Sequence, residues 1–162
     1  MTVELPGFFD LQVNGFAGVD FNDPAVSAEA IAEALERQRA TGVTRCLPTL
    51  ITSSLEEFSA CARAVTASRH PAVAGIHMEG PYISPEDGAR GAHRRACVVP
   101  ASIDDFNRRQ DVCHGGIRLV TLAPEVAGAL ALIEHLVETG VRAAIGHTAA
   151  SPAQSAGPQD QH

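Results

Sequence analysis

The chain contains no lysine and no tryptophan, and a single tyrosine, Tyr82, accompanies six phenylalanines. With so few large rings, a core has to be built mainly from Ala, Val, Leu and Ile. All twelve basic side chains are arginines, set against 19 acidic residues for a formal charge of -7, and no basic cluster exceeds a pair such as Arg94-Arg95. That balance argues against a nucleic-acid partner. Long apolar runs are missing as well: none approaches the roughly 18–20 residues of a membrane span, and the N-terminus lacks the basic-then-apolar pattern of a secretory signal. A cytoplasmic protein with no membrane partner is expected. The four cysteines, Cys46, Cys61, Cys97 and Cys113, form no CxxC pair, which speaks against a zinc knuckle or a disulfide framework and for buried, reduced thiols.

At 162 residues with 45% hydrophobic content, the chain has the length of one domain with a real core. Its first apolar run, Leu5 to Gly15, predicts a strand followed by a turn region from Gly15 to Pro24, and places Gln12 and Asn14 on one face. Ser27 can cap a helix through about Ala40, with Ile31, Ala34, Leu35 and Gln38 on one stripe, and a strand follows at 43–50. Ser53 with Glu56 and Ser54 with Glu57 offer overlapping capping boxes for a second helix, closed by His70-Pro71. Then come a strand at Val73 to Glu79, a long loop, a short helix capped by Ser102, and a strand at 117–122. A helix over about 125–139, carrying Leu130, Ile133, Leu136 and Val137, leads to a last strand at 141–145.

This alternation predicts an α/β domain over residues 1–150, with parallel strands buried on both faces. Residues 151–162, rich in Ser, Pro, Gly and Gln, read as a disordered tail. Polar residues collect at the strands' C-terminal ends: Gln12, Asn14, Thr49, Glu79, Glu125, His147 and Thr148. In a barrel or an open parallel sheet that edge is where sites form. Glu79 and His147 suit a divalent metal by donor chemistry, although two ligands fall short of the usual three plus water. Each can equally be a structural residue, and His93, near Arg90, Arg94 and Arg95, can hold an anion or simply be a solvated loop histidine. His77, on the same face as Glu79, reads as a supporting or structural residue. His70, His114, His135 and His162 read as surface residues.

The motifs carry the reading further. PGFFDLQVNGFAGVDFND at Pro6 to Asp23, HMEGPYISP and RGAH within His77 to His93, TLAPE at Thr121 to Glu125 and IGHTAA at Ile145 to Ala150 occur in order. Together they resemble the N-acetylglucosamine-6-phosphate deacetylase family of the amidohydrolase superfamily. The resemblance implies about five βα units of a (β/α)8 TIM-type barrel. It also implies metal-dependent deacetylation of N-acetylglucosamine 6-phosphate in amino-sugar catabolism, and it admits a homodimer.

By the same resemblance, Glu79 and His147 match metal ligands, Ala92 and His93 match the loop contacting the sugar phosphate, and Gln12 and Asn14 stand in the pocket where superfamily members often carry His-x-His. One divalent ion is therefore expected, zinc first, with iron, manganese or cobalt as alternatives. The family's general acid/base aspartate has no match, so no catalytic residue is assigned, and the expectation is a chain truncated relative to the family, with impaired or absent activity. The alternative is a non-catalytic fragment or sugar-phosphate binding module. An amidohydrolase acting on a cyclic amide is disfavoured by the lack of His-x-His and of any lysine.

Overall fold

The computed structural model describes residues 6–151. Its frame is a curled five-stranded parallel sheet, ordered β1, β4, β5, β6, β7, in which β1 is Phe8–Val13, β4 Val43–Ile51, β5 Ile76–Glu79, β6 Ile117–Leu122 and β7 Arg142–Ile145. Every neighbouring pair is parallel. Helices α1 (Ala28–Arg39), α2 (Leu55–Ser68), α3 (Ile103–Val112) and α4 (Ala129–Glu138) make the crossovers. The parallel sheet is what the alternation of strand and helix implies, and its curling into half a barrel is what the family resemblance implies. The turn region after β1 contains a small antiparallel hairpin of β2 (Gly15–Phe16) and β3 (Val19–Asp20). The expected tail beyond Ser151 lies outside the described residues.

Local chemistry sets the helix starts. Ser27 accepts from the Ala30 N–H, and Ser102 from that of Asp105. Of the two overlapping boxes at α2, Ser54 with Glu57 forms, each side chain satisfying the other's backbone N–H. The core lies between the sheet and its helices. Ile31 and Leu35 of α1, Phe58 and Val65 of α2, Phe106 of α3 and Leu132 and Leu136 of α4 pack around Cys46, Leu50, Met78, Val120 and Leu122. No helix among the described residues is long and apolar enough to cross a membrane.

The structure corrects several expectations. Burial on both faces holds for the central strands but fails at the edges: Phe8, Phe9 and Leu11 of β1 are 68%, 48% and 54% exposed, and Ile145 of β7 is 51% exposed. An edge strand lacks a neighbour on one side, so its side chains are covered less than those of the central strands. Helix α4 starts at Ala129, after a turn ending in the left-handed Gly128, and its buried stripe is Ala129, Leu132 and Leu136. Leu130 and Val137 point outward, each one residue on from a buried position and so about 100° round the helix from it. Cys97 is only half-buried. The His70 side chain, expected at the surface, is only 8% exposed, its ring closed in by Glu36 and the Ala72 N–H.

Candidate metal centre

Three side chains from three segments meet at the C-terminal edge of the sheet. Glu79 ends β5, His93 sits in the loop after it, and His147 follows β7. One ligand atom from each lies within 4.8 Å of the others. Glu79 and His93 are buried, while His147 is half-buried. Nε2 of His147 lies 3.0 Å from Oε1 of Glu79, and the His93 and His147 rings meet edge to face with centroids 4.2 Å apart.

The backbone explains why these residues converge. The Gly80 N–H bonds the Thr121 carbonyl and the Gly146 N–H that of Leu122, which aligns the ends of β5, β6 and β7. Gly146 is needed there, since a Cβ would stand 2.6 Å from Cγ2 of Thr121. His147 then adopts φ +51, in the left-handed region, and its carbonyl accepts from Ser84 N–H. Behind it, Glu125 accepts from the Thr148 hydroxyl at 2.6 Å and from the Ala149 N–H at 2.7 Å.

The hydrogen bonds also order the imidazole tautomers. The Thr52 hydroxyl donates to the Glu79 carbonyl, so it can accept from Nδ1–H of His93 at 2.8 Å, leaving the Nε2 lone pair of His93 available. Burial, with the neighbouring His147 and Arg90, lowers the pKa of His93 despite the opposing pull of Glu79, and favours the neutral ring a metal requires. Inside the sheet, Nδ1 of buried His77 faces the Leu11 carbonyl at 3.1 Å, so it carries the proton, and Nε2 accepts from the Thr121 hydroxyl at 2.8 Å. Burial lowers the pKa of His77 too, against the pull of Glu79. His77 thus ties β1 to β6 beneath the cluster.

One carboxylate and two imidazoles form a donor set of the kind that binds zinc, which commonly takes a water as its fourth ligand. His93, assigned by resemblance to the sugar loop, lies within ligand distance, and its Nδ1 partner Thr52 is of the kind that orients a metal-binding histidine. Thr49, one of the polar residues collected at the strand ends, lies 3.2 Å from His77, whereas Thr52, three residues further along, is the one beside His93. Gln12 reaches the cluster, donating from Nε2 to Oε1 of Glu79 at 3.0 Å. Asn14 contributes its backbone carbonyl, which accepts from Phe21 N–H and from the Asn22 amide. The register irregularity between Asp10 and Val13 separates the two faces: Asp10 turns to Gln38 of α1 and Gln12 to Glu79. Ala92 is exposed. Arg90 and Arg94 already pair with Asp87 and Glu57.

No family model matches the chain. Among curated proteins, it is 38% identical over 155 residues to the N-acetylglucosamine-6-phosphate deacetylase of Bos taurus, covering 90% of this chain and 37% of the relative. It is 34% identical over 149 residues to the N-acetylgalactosamine-6-phosphate deacetylase of Shewanella, covering 88% of this chain and 36% of that one. Among solved structures, a variant of the N-acetyl-D-glucosamine-6-phosphate deacetylase from Mycobacterium smegmatis, in complex with N-acetyl-D-glucosamine-6-phosphate, superposes with a TM-score of 0.84 at 35% identity, covering 93% of this chain and 39% of that one. The chain therefore spans a little over a third of the length of these relatives.

Proposed function

From its similarity to the N-acetylglucosamine-6-phosphate deacetylases over nine-tenths of its length, we propose that this chain carries the metal-holding part of a hydrolase that removes an acetyl group from an amino-sugar phosphate. The observation that carries the reading is the convergence of Glu79, His93 and His147, from positions up to 68 residues apart, into one ligand cluster. In this reading the three side chains hold one divalent ion, zinc by their donor chemistry. Bound there, the ion would acidify a water and polarise the acetamide carbonyl. Gln12 orients the Glu79 carboxylate, Thr52 holds His93 with Nε2 toward the centre, and exposed Ala92 is read as part of the loop that contacts the sugar phosphate. The setting is amino-sugar breakdown in the cytoplasm, with a homodimer as the assembled form.

Proton transfer to the departing amine needs an acid beside the metal. Glu79 is the cluster's one carboxylate and is itself a ligand, so this chain alone is expected to hold metal and sugar phosphate with little turnover. The reading is tested by zinc titration, followed by acetate release from N-acetylglucosamine 6-phosphate and its galactosamine epimer. Binding of one zinc, lost in Glu79→Gln, supports it. A folded chain that takes up no zinc overturns it. Sustained acetate release that depends on Glu79 would show instead that the chain catalyses unaided.

A further inference from the structure

The Glu125 side chain binds the segment just after His147 at two consecutive residues. Oε2 of Glu125 accepts from the Thr148 hydroxyl at 2.6 Å, and Oε1 accepts from the Ala149 N–H at 2.7 Å. The Thr148 oxygen then accepts from the Ala150 N–H at 2.9 Å, so one carboxylate organises three consecutive residues. On the near side, His147 is tied by its carbonyl to Ser84 and through Gly146 to Leu122. On the far side, β7 is an edge of the described sheet, and no strand there takes up these groups.

We infer that Glu125 is a positioning residue for His147: by clamping residues 148–150 it holds the left-handed turn that aims the imidazole at Glu79. A non-glycine residue at φ +51 stays in that region only where its surroundings over-determine it. The chemistry calls for a carboxylate. Both partners are donors, a hydroxyl and a backbone N–H, and a carboxylate meets them with two acceptor oxygens. An amide would set its own N–H₂ against one of them. Burial would raise the pKa of Glu125, but these bonds and that of its own backbone N–H lower it, in keeping with an ionised acceptor.

The inference rests on the metal reading above, and its test separates the two. Zinc affinity is measured by chelator competition for the unmodified chain, Glu125→Ala and Thr148→Val, with far-UV circular dichroism on each metal-free protein. Loss of an outer partner of a metal-binding histidine typically weakens affinity on the order of 10–100-fold, the range expected for Glu125→Ala in a folded chain. Thr148→Val, which keeps the Ala149 bond, should fall between, and it carries the test if Glu125→Ala does not fold. Affinity within twofold of the unmodified chain in the folded variants overturns the inference.

A metal-free readout stands beside it. In long-range ¹H–¹⁵N spectra, the Nε2 resonance of His147 should show its hydrogen bond to Glu79 in the unmodified chain and lose it in the variants. If the unmodified chain takes up no zinc, the metal reading falls and this resonance alone decides: its loss upholds the positioning role, and its persistence overturns it.

Discussion

The hydroxyl of Thr52 lies 2.8 Å from Nδ1 of His93, a contact that leaves Nε2 as the ring nitrogen for the proposed metal. It spans 41 positions of sequence and depends on the loop after β5 folding back over the end of β4. Replacing Thr52 with valine keeps the shape but leaves a buried imidazole N–H without an acceptor, a loss of about 1–3 kcal/mol. Zinc affinity should fall by roughly tenfold or more. Urea denaturation and chelator competition on the same variant measure the two effects, and unchanged zinc affinity would mean that Thr52 does not orient His93.

Gly80 makes a second, steric prediction. It sits at φ +77, and a Cβ there would stand 2.1 Å from Oγ1 of Thr52. Gly80→Ala therefore combines left-handed strain of about 1–2 kcal/mol with displacement of the group that holds His93. Both stability and zinc affinity should drop, whereas Gly88→Ala, at φ +90 with open space around it, should show only the backbone cost. Equal zinc affinities in the two variants would contradict this.

The thiols should separate into two classes. Burial, aided by nearby Asp10, pushes Cys46 up to about 11; burial, with Asp20 and Asp23 adding to it, does the same for Cys61; and burial alone takes Cys113 to about 12. Cys97 is half-buried. At pH 8 the three buried thiols are about 0.1% thiolate or less, so a disulfide reagent should titrate one fast thiol in the native chain and four in denaturant. The fast phase should vanish in Cys97→Ala.

Acid should destabilise the metal-free chain through His77 and His93. Both have folded pKa values below the ordinary 6.5, with burial the leading cause. Below that value the unfolded state takes up protons the folded state refuses, so the stability these neutral rings contribute is present at higher pH and lost as pH falls from about 7. The loss levels off only once the pH drops below the lowered folded values. Urea midpoints between pH 8 and 5 should trace the decline, and His77→Gln should make it shallower. A pH-independent midpoint would show that neither ring is held neutral.

Much of this architecture was legible in the residues themselves. Ser27, Ser54 and Ser102 mark helix starts because a hydroxyl can satisfy a nearby backbone N–H whatever the rest of the chain does. The order of strands and helices, and the collection of polar residues at strand ends, follow from local periodicity and turn residues. Glu79 and His147 stood out for the same reason, each closing an apolar run.

What only tertiary structure decided depends on contacts between distant segments. The contact of Thr52 with His93, the entry of His93 into the cluster, and the turning of Asp10 and Gln12 to different partners at a register irregularity all depend on how strands align in space. The exposure of Phe9, Leu130 and Val137 depends on what packs beside them, which hydropathy along the chain does not encode. The sequence alone determined which elements form and which donor atoms lie at their ends, because those depend on neighbours a few residues away. The folded sheet decided which of those atoms meet, because a cluster within 4.8 Å is a property of strand register and loop return.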